Sequence, residues 1–288
     1  MPVSIKQRLK NALPAPAHRL YLTARRTAYR VLGPFDFAWL LLNGRSDLPP
    51  MYLRERVGPL RTFESSAAEF MVQLKLLCKL RPEDRVLDIG CGCGAVALHL
   101  LDWLNSSGSY VGVDVDAAAI AWCRRTLEKK RPNFIFRQMD VKSEVYNPHG
   151  SQSCAEYRFP FESGSFDLIF AKSVFTHLLP DGSDNYLGEV SRLLSPQGRC
   201  LATFFVLNQA TDERANKRLS QLNFDYGPGP WRYVDKTAPE GCVGYAEGAI
   251  FDQLAKHGLK LKQPLYPGSW SGLDGALGFQ DVLVLGRL

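Results

Sequence analysis

The residues best placed to do chemistry are Val86-Leu87-Asp88-Ile89-Gly90-Cys91-Gly92-Cys93-Gly94, an apolar run carrying an acid and leading into three alternating glycines. Glycine has no Cβ, so such a turn brings main chain within contact distance of a ligand at the mouth of a sheet. Twenty residues past Gly94, the run Ser109 to Val113 ends on a second acid, Asp114. A carboxylate there can take both hydroxyls of a ribose. Together these features imply a nucleoside-bearing ligand. The dinucleotide pattern G-x-G-x-x-G sets a helix N-terminus against a pyrophosphate. Here the pattern is G-x-G-x-G, with Asp88 two residues before the first glycine. A carboxylate repels a pyrophosphate and attracts an ammonium. S-adenosylmethionine carries an ammonium, a sulfonium and a ribose but no phosphate, and is favoured over a nicotinamide dinucleotide.

The segments Asp88 to Gly94, Tyr110-Val111-Gly112-Val113-Asp114 and Asp140-Val141 resemble the first three motifs of class I S-adenosylmethionine-dependent methyltransferases. Phe166 to Phe170 is similar to that family's fourth strand, and Tyr186 to Leu194 to the helix after it. Ser195-Pro196-Gln197-Gly198-Arg199 resembles the P-G-G turn into strand five, with Gln197 departing from the usual glycine. The resemblance covers roughly Phe63 to Leu288 and is specific as an ordered set, since a lone glycine loop is weak. It implies a Rossmann-like α/β fold: a seven-stranded, mostly parallel sheet with helices on both faces and an antiparallel last strand. The cofactor is then expected beyond the carboxyl ends of the strands. Asp88 and the backbone of Gly90, Cys91 and Gly92 are expected at its methionine end, Asp114 at the ribose, and Val115 near the adenine. By resemblance, Asp140 accepts from the adenine amine and the Val141 amide meets a ring nitrogen. Ala171 faces the cofactor from the other side.

Methyl transfer displaces a neutral thioether, so the leaving group needs no acid. The protein must align the partners and, for a hydroxyl acceptor, remove a proton. His177, in Ser173-Val174-Phe175-Thr176-His177-Leu178, follows strand four and is the candidate base; a purely structural histidine is the alternative. His149, Tyr226, Trp231 and Tyr233 are candidate substrate contacts. The end of strand four, Ala171-Lys172-Ser173-Val174-Phe175, lacks the Asn/Asp-Pro-Pro-aromatic of nucleic-acid amine methylases. It also lacks the acid of a catechol-type magnesium site. The expected acceptor is therefore a small molecule, saccharide or lipid-linked compound, with hydroxyl oxygen as the nucleophile. The alternatives are a C- or N-methyltransferase of a natural-product intermediate, and a binding protein that keeps the cofactor fold without transfer.

The elements that must hold these residues alternate along the chain. Strands are expected at Arg85–Ile89, Ser109–Val113, Asn133–Met139, Leu168–Ala171, Arg199–Phe205, Leu259–Gln263 and Gln280–Leu285. Helices are expected at Ser65–Leu80, Ala95–Leu104, Ala117–Lys130 and Ala246–His257. Two insertions break the alternation, residues 142–164 and 208–245; the aromatics of the second read as an ordered substrate cover. The methyltransferase domain is expected over 61–288.

Residues 1–60 read as a basic helical extension. The net charge of +6 comes from its first thirty residues: Lys6, Arg8, Lys10, Arg19, Arg25, Arg26 and Arg30 lie there without an acid. A nearly neutral body argues against a nucleic-acid enzyme, whose basic surface should surround its active site. One helix is expected over Ala17–Leu32, broken by Gly33-Pro34, then a short apolar element over Phe35–Leu42. The extension is expected to act as a lid or, through residues 1–42, as a peripheral contact with anionic lipid. No signal peptide or spanning segment is read, and the expected location is cytoplasmic, with the inner membrane face as the peripheral site. Seven scattered cysteines lack metal or disulfide spacing, and no metal is expected.

Overall fold

The computed structural model describes residues 24, 25, 27–29 and 31–288. The chain forms two compact units that part between Glu64 and Ser65, four residues beyond the expected boundary.

In the first unit, helix α1 (Gly33–Leu42) has its proline at the N-terminal turn. Pro34 there begins a helix, because its missing N–H has no partner to lose at that position. Of the expected helix Ala17–Leu32, residues 17–23 lie outside the described residues, while 24, 25, 27–29 and 31 are helical. A short helix, α2 (Met51–Arg54), follows. Asp36 of α1 accepts from the Met51 N–H (3.0 Å) and pairs with Arg54.

The second unit takes all but the first two residues of helix α3 (Phe63–Leu77) and is organised on a seven-stranded sheet. In chain order the elements are β1 (Arg85–Ile89), α4 (Ala95–Leu101), β2 (Ser109–Asp114), α5 (Ala117–Thr126), β3 (Phe134–Gln138), β4 (Phe166–Ala171), α6 (Pro180–Leu193) and β5 (Leu194–Phe204). There follow β6 (Val206–Leu207), α7 (Gln209–Asn216), β7 (Trp231–Tyr233), β8 (Val243–Ala246), α8 (Glu247–Lys256), β9 (Leu259–Leu261) and β10 (Asp281–Arg287). The strand order is β3-β2-β1-β4-β5-β10-β9. The first five strands are parallel, and β10 runs antiparallel to both β5 and β9. This is the Rossmann-like arrangement the motifs imply. β1 is buried along Val86 to Ile89 because strands flank both its edges and packed layers cover both faces. The order reverses between β1 and β4, so the crevice outside their carboxyl ends is the natural ligand position.

Local signals explain several boundaries. Asp116 caps α5 by accepting from the N–H groups of Ala118 (3.0 Å) and Ala119 (3.3 Å). Asn208 and Thr211 form a reciprocal capping box that starts α7. β5 begins earlier than Arg199, at Leu194, because Leu194 pairs with Phe166 across an irregularity in the β4 ladder. Ser195 to Gly198 therefore run within the strand, where a turn was expected.

The second insertion is a small subdomain. β6, β8 and β7 make a separate three-stranded sheet. Phe205, Leu207, Phe224 and Trp270 form its own buried cluster. Asp281, the first residue of β10, ties it down: the carboxylate accepts from Val206 N–H (2.7 Å), Gly268 N–H (2.6 Å) and Trp270 Nε1–H (2.7 Å). Among the described residues, no helix is long and apolar enough to cross a membrane.

Candidate active site

The glycine loop between β1 and α4 is left-handed at three positions, with φ of +77° at Gly90, +51° at Gly92 and +76° at Gly94. A Cβ on Gly90 would lie 2.4 Å from Val174 Cγ2, and one on Gly94 would lie 2.5 Å from Leu127 Cδ1. Glycine is thus demanded by both backbone conformation and close packing. The N–H groups of Gly90, Cys91, Gly92 and Gly94 are already engaged. Gly90 and Cys91 donate to the Val113 carbonyl (2.8 and 3.1 Å), and Gly92 donates to Asp114 Oδ2 (2.7 Å). The Cys91 carbonyl accepts from Gly94 N–H (2.9 Å) and the Gly92 carbonyl from the Cys91 and Cys123 thiols (3.7 Å each). With these N–H groups engaged, the carbonyl oxygens, which suit a cation and not a phosphate, are the polar atoms left to face a ligand. The Cys91 thiol is buried and shifted well up by that burial, so it is no nucleophile at neutral pH.

Asp88 lies beneath this loop, 2% exposed. Its Oδ2 accepts from the Tyr110 hydroxyl at 2.7 Å. Tyr110 reaches it because Gly112, paired with Asp88 across the β1–β2 ladder, has no side chain; a Cβ there would sit 2.9 Å from the hydroxyl. Burial pushes the Asp88 carboxyl up to about 8, while the Tyr110 hydrogen bond works in the opposite direction. On the other side lies Lys172, just past β4. Burial lowers it to about 8, with Asp88 and Glu69 opposing. Its Nζ donates to Ser66 O (2.9 Å) and Ser66 Oγ (2.8 Å).

Asp114, at the end of β2, accepts from Gly92 N–H through Oδ2 and from Asp116 N–H through Oδ1 (2.8 Å). Val115 packs half-buried against the main core, and Ala171 is buried within it. Asp140 is exposed, and hydrogen bonds from Ser151 lower its pKa. Val141 is buried; its carbonyl accepts from Asn147 Nδ2 (3.0 Å), which holds the start of the first insertion.

His177 lies in a 3-10 turn, Phe175–His177, directly after the β4 loop. Its Nδ1 sits 2.9 Å from the Glu240 carbonyl. A carbonyl only accepts, so Nδ1 carries the proton and Nε2 the lone pair. Burial lowers the ring's pKa below 6.5, with the Glu240 carbonyl opposing. Tyr146 meets the ring edge-on, with centroids 5.8 Å apart. Both insertions therefore converge on His177: Tyr146 comes from the first and Glu240 from the second. They also touch each other, Glu144 N–H donating to Glu240 Oε2 at 2.9 Å.

Of the candidate substrate residues, Tyr226 and Tyr233 bridge each other across the Gly227-Pro228-Gly229-Pro230 bend. Trp231 pairs with Tyr245 and packs against the main core. His149 is exposed on its own turn, apart from that hairpin. The same subdomain holds a pocket of about 290 Å³ lined by Leu207, Phe224 and Trp270, with the Asp212–Arg232 ion pair (2.6 Å) at its wall.

Lys172, Glu240, Tyr146 and Asp281 were not read from the sequence as site residues. Only Lys172 had a local signal, since it follows the strand-four motif directly; the others are brought in by long-range packing. Among the described residues no group of His, Cys, Asp and Glu is placed to hold a metal.

Residues 86–198 match the family model described as a methyltransferase domain. Over this segment the chain is similar to a methyltransferase domain, and its seven-stranded sheet has the Rossmann-like methyltransferase fold. The solved PH0226 protein of Pyrococcus horikoshii shares this fold, at a TM-score of 0.51 and 18% identity over 80% of this chain and 91% of its own. A highly reducing polyketide synthase of Penicillium soppii is 34% identical over 206 residues, 67% of this chain and 7% of that protein. The cyclopropane-fatty-acyl-phospholipid synthase of Escherichia coli K12 is 27% identical over 176 residues, 59% of this chain and 36% of that protein. The chain spans well under half the length of either relative.

Proposed function

We propose that this protein transfers the methyl group of S-adenosylmethionine to a nucleophile, a hydroxyl oxygen of a small molecule, saccharide or lipid-linked acceptor. The observation that carries this reading is the loop whose N–H groups are spent internally above a buried acid, beside a second acid at the end of β2. Bound there, the cofactor supplies an electrophilic methyl group on a sulfonium. In this reading the carbonyls of Gly90, Cys91 and Gly92, backed by Asp88, hold the methionine ammonium. Asp114 receives the ribose hydroxyls from its place at the end of β2. Val115 packs on the adenine, Asp140 and Val141 lie at its polar edge, and Ala171 closes the opposite side.

His177 takes the acceptor's proton at Nε2, with Glu240 fixing the tautomer. Tyr146, Tyr226, Trp231, Tyr233 and His149 belong to the two insertions that would enclose the acceptor and exclude water. We assign the methyltransferase domain to 61–288 and the extension to 1–60, and place contact with a membrane surface in residues 1–42. The match to a fatty-acyl-phospholipid synthase supports a lipid-linked acceptor and keeps carbon as the second choice of methylated atom.

The test is calorimetric titration with S-adenosylmethionine. Asp114→Asn should weaken binding roughly 10- to 100-fold, the worth of one or two hydrogen bonds to a charged group. Unchanged affinity would remove the ribose assignment, and no binding by the parent chain would remove the whole reading.

A further inference from the structure

Helix α1 is built inside out for a helix surrounded by water. Its one charged side chain, Asp36, is turned inward onto Arg54 and the Met51 N–H, on the same face as the buried Leu40. The outward side is apolar. Phe35, Ala38, Trp39 and Leu42 stand at i, i+3, i+4 and i+7 and form one stripe. Phe35 is 74% exposed, Trp39 60% and Leu42 86%, while Phe37 at 55% and Leu41 at 57% widen the stripe. At 100° per residue this apolar surface covers more than half the helix circumference. An exposed patch of this kind marks an interaction surface.

Charge identifies the occupant. The thirty residues at the N-terminal side hold seven cationic side chains and no acid. Arg25 is tied to Glu55, and the other six precede the apolar helix in the sequence. A Trp/Phe/Leu face preceded in sequence by a run of Lys and Arg fits the boundary between acyl chains and anionic headgroups. With ten residues, α1 spans roughly 15 Å along its axis, about half of a bilayer's hydrocarbon core. It can lie in the interface and is too short to cross it.

We propose that α1 docks the protein on an anionic lipid bilayer, seating Phe35, Trp39 and Leu42 in the interface while the basic N-terminal residues engage the headgroups. This rests on the reading above for its partner class, a lipid surface, and is independent of the transfer chemistry. The experiment is flotation of the full chain with phosphatidylcholine vesicles, with and without phosphatidylglycerol. Each run is repeated on the triple variant Phe35→Ser, Trp39→Ser, Leu42→Ser. All three side chains are exposed, so the variant should melt with the parent and bind S-adenosylmethionine equally well.

The parent should float with the anionic vesicles and lose that association in high salt, and the variant's recovery should fall about tenfold or more. Equal flotation of parent and variant overturns the proposal. So does a parent that never floats, or one that sediments as a dimer which the variant converts to monomer, since the patch would then be covered by a second copy. Cofactor binding measured on the same samples separates the two readings: its loss would sink the methyltransferase assignment and leave the docking surface standing.

Discussion

Asp88 makes the ammonium-binding reading testable through protons. In the ligand-free protein its carboxyl is held at about 8 by burial. At pH 7 roughly nine-tenths of the molecules therefore carry a neutral Asp88. A ligand ammonium over the glycine loop favours the ionised form, so the complex binds fewer protons than the free protein, and binding must expel one. The sign follows directly: affinity rises with pH and levels off near 8, the pKa of the free state. Between pH 6 and 7 the gain should be about tenfold, roughly 1.4 kcal/mol, with a smaller further gain to pH 7.5 as the ligand's ammonium begins to deprotonate. The neighbours leave the interval from pH 6 to 7 cleanest. Lys172 is largely protonated below its value of about 8, Tyr110 is shifted well above 10, and the ligand's own amine titrates near ~7.7–8.0. The assay is titration calorimetry at pH 6, 6.5, 7 and 7.5 in buffers of different ionisation enthalpy. About 0.9 proton should be released per ligand bound at pH 7. Asp88→Asn should abolish both the slope and the buffer dependence, and should bind more weakly than the parent at pH 7.5. A parent chain with flat affinity and no buffer-dependent heat would refute the argument, because the acid would then be indifferent to the ligand.

His177→Gln should lower kcat about 10²- to 10⁴-fold while leaving cofactor affinity unchanged. Because burial lowers the parent ring's pKa, its base form persists through neutrality, and the rate should decline only below pH 6.5. Ring ¹⁵N shifts showing a cation at pH 7, or Nε2 bearing the proton, would contradict the tautomer. Asp281→Ala leaves the N–H groups of Val206, Gly268 and Trp270 without their acceptor. It should cost about 3–5 kcal/mol and lower Tm by roughly 10 °C, with cleavage within residues 208–245 preceding global unfolding. A calorimetric melt within two or so degrees of the parent would show that the carboxylate does not hold the cover.

Much of the body was legible because its signals are local. The alternation of apolar runs and helical stretches announced a parallel sheet, and the strands from Arg85 to Ala171 lie close to where periodicity places them. The glycine loop was readable for the same reason, since left-handed backbone at Gly90, Gly92 and Gly94 is a property of residue type. The helical signal before Gly33-Pro34 does break there, at Leu32, and the apolar element that follows is itself a helix, α1, with Pro34 in its first turn. One feature was misread locally. The Ser195 to Gly198 segment looked like a turn, yet its neighbour Leu194 pairs with Phe166 and draws it into β5.

By itself the sequence determined the residue types at the cofactor end, two acids and a bare loop, because spacing along a strand and through one turn sets their positions. Only tertiary structure decided what those groups are worth. Tyr110 beneath Asp88 and Lys172 beside it come from neighbouring strands. Glu240 reaches His177 from 63 residues away, and Asp281 reaches Val206 from 75. The inward turn of Asp36, which leaves a hydrophobic helix facing outward, likewise depends on Arg54 in another helix. A proton's affinity and a side chain's exposure are set by whatever packs around it, and packing partners far apart in the chain carry no local mark of one another.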